Sequence, residues 1–127
     1  MHELAITQHM VDLALRHADV AGARRITDVH VVVGTLSGAS PECIRFYWDI
    51  IAERTPAHGA CLHFREVAFE VECLGCGVVF RPDGRTYSCP ACRGSGVRVA
   101  RGHELYLEAI DVEQRPDRAA LATEATS

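Results

Sequence analysis

The 127-residue chain contains no lysine and no asparagine, and all thirteen of its basic residues are arginine. We read this joint avoidance as coding bias and give it no functional weight. Positive charge is also scarce: seventeen acidic residues outnumber the arginines and leave a net charge of −4. Neutralising a phosphate backbone calls for the opposite balance, so nucleic acid is not expected as a partner. Long apolar runs are missing too. The opening Met1-His2-Glu3-Leu4 has no positive segment ahead of an apolar stretch, and nowhere do about 20 apolar residues follow one another. A soluble, cytoplasmic protein with no membrane association is expected. No nucleotide-binding glycine loop, nucleophile elbow or general-base constellation occurs, so no catalytic residue and no enzyme activity are expected. The length excludes a large multidomain enzyme and suits one small domain carrying a smaller module. With 48 % hydrophobic residues the chain has material for a core and lies outside the compositional range of disorder.

Cysteine, by contrast, is plentiful. In a reducing compartment six cysteines argue for metal ligation or buried thiols rather than disulfides. Four of them form two Cys-x-x-Cys pairs, Cys73 with Cys76 and Cys89 with Cys92, separated by twelve residues. Two thiolates three positions apart can face one ion from a tight turn, and two such turns complete a tetrahedron. A closed four-thiolate shell leaves no position for water, so the expected occupant is structural Zn(II). About thirty residues cannot bury a sufficient core alone, and the ion would supply most of the module's folding free energy. Iron, as in rubredoxin, and a redox dithiol pair are the alternatives; iron would colour the protein. Glycine after each pair can take the positive φ that aims N–H groups at the sulfurs. Between Cys73 and Gly102 lie five arginines and one aspartate. They either offset the anionic cluster or form a weakly basic docking surface.

Elsewhere the pattern is ordinary α+β. Leu4, Val11, Leu15 and Ala18, widened by Ile6, Met10, Leu13 and Ala14, predict a helix over residues 4–21, closed by Gly22. Alternating Val29, Val31 and Val33 predict a strand over residues 26–34. Ser40-Pro41-Glu42 reads as an N-cap, a first-turn proline and an acidic first turn, with Ile44, Tyr47, Trp48 and Ile51 on one side of the helix that follows. Thr55-Pro56 and Gly59 end it. Leu62 and Phe64 occupy even positions, but Val67, Phe69 and Val71 occupy odd ones. A two-residue period cannot change phase inside a regular strand without turning its buried face outward. The chain is therefore expected to leave one sheet for another near Arg65-Glu66. Val97 to Ala100 reads as a return strand, Gly102 as a hinge, and Leu105, Leu107, Ile110 and Val112 as a strand rejoining the first sheet. Residues 115–127 are expected to form a flexible tail. Cys43 and Cys61 read as isolated core or surface thiols, and His9, His17, His30, His58, His63 and His103 as solvated or hydrogen-bonded histidines.

The amino terminus offers a second metal chemistry. Methionine is retained before a bulky second residue, so the chain is expected to start with a free Met1 amine. That amine, the backbone nitrogen and imidazole of His2, and the backbone nitrogen of Glu3 can close a planar four-nitrogen chelate suited to Ni(II) or Cu(II) rather than Zn(II).

Taken together, Met1-His2-Glu3-Leu4, residues 33–38 (Val-Gly-Thr-Leu-Ser-Gly), Pro41-Glu42 with Phe46, residues 59–62, the two cysteine pairs, Gly102-His103-Glu104-Leu105 and Ile110-Asp111-Val112 resemble the HypA/HybF family of hydrogenase nickel-incorporation proteins. The resemblance implies nickel at Met1, His2 and Glu3, and zinc at Cys73, Cys76, Cys89 and Cys92. It also implies a small nickel-binding α/β domain, two helices on a three-stranded sheet, over residues 1–66 and 102–114. A zinc-ribbon-like domain would be inserted at 67–101. The implied partners are a nickel-handling maturation GTPase, the [NiFe] hydrogenase large-subunit precursor and, in some organisms, urease maturation proteins; a homodimer is compatible with it. Two departures stand out. The stretch before Cys73 lacks the proline many members carry, and no histidine lies between Phe64 and Gly102, so the expected zinc shell is all thiolate. The competing reading is a zinc-ribbon adaptor that handles no nickel.

Overall fold

The computed structural model describes residues 3–82 and 87–114. Met1, His2 and the expected tail lie outside the described residues. A first helix, α1 (Glu3–Val20), presents Thr7, Met10, Val11, Ala14 and Ala18 to the core, at the spacing of one helical face. Leu4, expected on that stripe, is exposed. Gly22 closes the helix in the left-handed conformation at φ 67°, where a side chain would be strained. The chain then runs into β1 (Ala23–Gly34), which starts three residues earlier than the valine alternation suggests. The second helix, α2 (Pro41–Ile51), begins as read: the Ser40 side chain accepts a hydrogen bond from the Cys43 N–H, and Pro41 opens the first turn. It ends before Thr55. The segment after it is pinned by the Trp48 indole N–H donating to the Ala57 carbonyl at 3.2 Å and by Ile26 N–H donating to the Pro56 carbonyl at 2.9 Å.

Five further strands follow among the described residues: β2 (Cys61–Val67), β3 (Glu70–Cys73), a short β4 (Val79–Phe80), β5 (Val97–Arg101) and a long β6 (Leu105–Gln114). They form two three-stranded sheets, ordered β2-β1-β6 and β4-β3-β5. β2 pairs parallel to β1, a geometry that needs a crossover, and α2 provides it. β6 returns antiparallel on the other edge of β1. Both helices and the inward residues of the larger sheet share one apolar cluster, in which Trp48, Ile44, Ile26, Val29 and Val31 are fully buried. The fold is thus a small α/β layer of two helices on a sheet, with a cysteine-bearing zinc-ribbon-like insertion.

The change of sheet falls at Ala68-Phe69, slightly beyond Arg65-Glu66. Gly34 still pairs with Val67, so backbone bonding carries β2 past the point where its side chains change phase. The insertion leaves and returns through one knot. The turn after β1 donates from Thr35 N–H to the Val67 carbonyl at 3.0 Å, and from Leu36 N–H to the Gly102 carbonyl at 2.6 Å. Gly34 is required there because a Cβ would collide with the Gly102 backbone.

Candidate metal centres

Within the smaller sheet, the end of β3 and two tight turns bring Cys73, Cys76, Cys89 and Cys92 together, with all four sulfurs within 4.8 Å of one another. Cys73 and Cys92 lie 3.5 Å apart at Sγ, as do Cys76 and Cys89. A tetrahedral ion with Zn–S bonds of about 2.3 Å needs sulfur separations of about 3.8 Å, so the donor set fits zinc with little adjustment. Each turn is closed by its own backbone: Gly77 N–H donates to the Cys73 carbonyl, and Arg93 N–H to the Cys89 carbonyl.

Two of the four sulfurs, Cys73 and Cys89, are held toward the thiolate by backbone N–H groups. N–H groups of Cys76 and Gly75 hold Cys73 down to about 6. Those of Cys92 and Ala91 lower Cys89. Cys76 rises to about 12: the Val78 N–H lowers it, but the shared proton with Cys89 and partial burial outweigh that. Cys92 is raised in the same way by Cys73, against the Gly94 N–H. Each close pair thus sets a lowered thiol beside a raised one, and a divalent ion bound here displaces the protons the sulfurs carry.

The two turns differ in one respect from the sequence expectation. Gly77, directly after Cys76, takes φ 79°, but the corresponding residue after Cys92 is Arg93, at φ 61°. Gly94 serves otherwise: its N–H donates to Cys92 Sγ at 3.4 Å, and a Cβ there would stand 3.2 Å from that sulfur. The arginines also have partners that a reading confined to residues 73–102 left out. Arg81 and Arg101 pair with Glu70, and Arg98 with Glu72 at 2.6 Å. These β3 carboxylates, not the thiolates alone, offset the local positive charge.

At the other end, Glu3 is the first residue of α1, and its N–H, like that of any first-turn residue, has no intrahelical acceptor. It borders an open depression of about 560 Å³ with Leu4, Ala5, Gln8 and Tyr47. Tyr47 is half-buried and Phe46 exposed, whereas Trp48 is core. No described helix is long and apolar enough to cross a membrane.

A second group of ligand types, which sequence reading treated as unrelated residues, lies on the face of the larger sheet opposite the helices. Asp28, Cys61 and His63 have ligand atoms within 4.8 Å of one another. His63 Nε2 lies 2.8 Å from Asp28 Oδ1, and His30 Nε2 lies 2.8 Å from Asp111 Oδ2. The two imidazoles stack at 4.9 Å. Hydrogen bonds with His63 and then Thr27 hold the Asp28 carboxyl below its ordinary value. Cys43 and Cys61 are both exposed thiols. Alternation alone could have placed Cys61 and His63 on one face, but their approach to Asp28 depends on the parallel register of β1 and β2.

A family model described as hydrogenase/urease nickel incorporation, metallochaperone, hypA matches residues 1–112. A hydrogenase maturation factor HypA of Caldanaerobacter subterraneus subsp. tengcongensis is 43 % identical over 114 residues, covering 89 % of this chain and 100 % of the relative. One from Geobacter sulfurreducens is 40 % identical over 115 residues, covering 89 % and 100 %. The solution structure of the Ni metallochaperone HypA from Helicobacter pylori superposes with a TM-score of 0.65 at 25 % identity, covering 91 % of this chain and 100 % of that one.

Proposed function

The chain belongs to the HypA family of hydrogenase and urease nickel-incorporation metallochaperones, and from that premise we propose that it binds Ni(II) at its amino terminus and delivers it for maturation of a [NiFe] hydrogenase. Members of this family carry metal and turn over no substrate. One observation carries the reading: the matched stretch starts at residue 1, so Met1-His2-Glu3 lies inside it. The chelate would use the Met1 amine, the His2 backbone and imidazole nitrogens and the Glu3 backbone nitrogen, a planar donor set that suits Ni(II). The Glu3 N–H, which has no intrahelical acceptor, and the open depression beside it favour this, because a cargo ion must be reachable by the protein that receives it.

Zn(II) is assigned to Cys73, Cys76, Cys89 and Cys92 as a scaffold ion, held by four sulfurs with no coordination position left for exchange. Residues 67–101 then form the zinc domain, and residues 1–66 with 102–114 the nickel domain. The work is cytoplasmic, and the receiving partners are the nickel-handling GTPase and the hydrogenase large-subunit precursor; urease maturation proteins are a further destination. A nickel titration tests the reading. Zinc-loaded protein with its native start should bind one Ni(II), while His2→Ala and an amino-terminally acetylated form should bind at least tenfold more weakly, a difference of about 1.4 kcal/mol. Equal binding by all three overturns it.

A further inference from the structure

We propose that Asp28, Cys61 and His63 form an additional, surface-exposed binding site for a first-row divalent transition cation, separate from both the four-cysteine cluster and the amino terminus. The argument begins with register. In the parallel β1-β2 ladder Asp28 stands opposite Cys61, and His30 opposite His63. Residues two apart on a strand share a face, so Cys61 and His63 project to the same side. On that side the sheet is not covered by a helix: its inward face carries Val29, Val31 and Leu62 into the apolar cluster, and the polar row faces outward.

The chemistry of the trio is complementary to a borderline cation. Imidazole, thiolate and carboxylate together favour Zn(II), Co(II) or Ni(II) over the hard ions Mg(II) and Ca(II), which prefer all-oxygen shells. One carboxylate and one thiolate balance a 2+ charge, so the complex is neutral. Bonds of about 2.1 Å to a tetrahedral ion need a separation of about 3.4 Å, so the 2.8 Å between His63 Nε2 and Asp28 Oδ1 opens by about 0.6 Å to admit one. Cys61 Sγ, within 4.8 Å of both, completes the set through a side-chain rotation. On binding, the ion takes the place of the hydrogen bond between Nε2 and Oδ1. The proton that Nε2 donates to Oδ1 moves through solvent to Nδ1, freeing the Nε2 lone pair for the ion, and the Cys61 thiol proton leaves to solvent. His30 stacks on the His63 ring with an interplanar angle of 16° and is itself fixed by Asp111, so the ligand imidazole is held in orientation from its face. Water fills the remaining position, as the exposed Cys61 and His63 and the half-buried Asp28 allow, and the ion is exchangeable.

Cobalt(II) titration of the zinc-loaded, amino-terminally acetylated full chain tests the site independently of the nickel chelate. One equivalent of Co(II) should bind beyond the resident zinc and give a thiolate-to-cobalt charge-transfer absorption. Cys61→Ser should abolish that absorption, whereas Cys43→Ser should leave it intact. His63→Ala should weaken binding at least about tenfold, since loss of even an outer-shell partner costs a metal site about 10–100-fold. Zinc content, followed by elemental analysis, should stay constant throughout. Failure to bind the additional equivalent, or an absorption that survives Cys61→Ser, overturns the proposal.

Discussion

Behind the β2-β1-β6 sheet, two helices bury a continuous apolar cluster that includes Trp48, Ile44, Ile26 and Val29; between residues 68 and 101, only Val71, Cys73 and Cys89 are buried among the described residues. Two of those three are sulfur donors. The larger sheet thus buries a core of apolar surface, whereas the buried side chains of the smaller one are mostly of a metal-ligand type. In a chain this short, the contrast shows how a segment too small for a core can still hold a defined shape.

The sharpest way to break the contrast is to remove the ion. Chelation, or Cys89→Ser, should unfold the smaller sheet, because a structural zinc contributes about 10–16 kcal/mol in zinc-finger peptides. Amide NMR should show β3, β4 and β5 losing dispersion while β1, β2 and β6 keep theirs. Persistence of the smaller sheet without metal would mean that Val71 and its neighbours suffice. The reverse experiment is Trp48→Ala. This side chain is fully buried and its indole N–H is bonded, so urea unfolding should report a loss of about 3–5 kcal/mol in the larger unit, with zinc affinity unchanged.

The smallest effect lies where the two regions meet. Glu104 accepts a hydrogen bond from Gly102 N–H at 2.7 Å, which is the main reason its carboxyl sits below the ordinary value. A carboxylate whose folded pKa is depressed contributes stability above its unfolded pKa, and that contribution disappears as pH falls through the folded value. Glu104→Gln should therefore flatten the acid limb of a stability profile slightly and leave neutral-pH zinc binding as it was. An unchanged acid limb would remove Glu104 from the junction's electrostatics.

Much of this was legible in the residues themselves. Ser40-Pro41 marked the start of α2, Gly22 the end of α1, and the two Cys-x-x-Cys pairs the sulfur cluster, because each depends on local chemistry. Phase changes were more ambiguous. Between Phe64 and Val67 the change accompanies a move from one sheet to the other. Between Leu107 and Ile110 the same signature is absorbed inside β6: Val31 pairs with Leu107 and His30 with Ala109, so Glu108 is an extra, bulged residue. Alternation cannot distinguish these outcomes, since both turn a side-chain row over. The Asp28-Cys61-His63 group was illegible for a related reason. It is assembled by a pairing between strands 33 positions apart in sequence, from Asp28 to Cys61, and no local pattern encodes which strand lies beside which.

The knot at Gly34 and Gly102 makes the insertion a cassette. Its first and last residues are gripped by the same three-residue turn, so the parent sheet experiences only a short stem and not what the stem carries. Lengthening, shortening or exchanging the cassette should therefore leave the strand order of the parent unaltered.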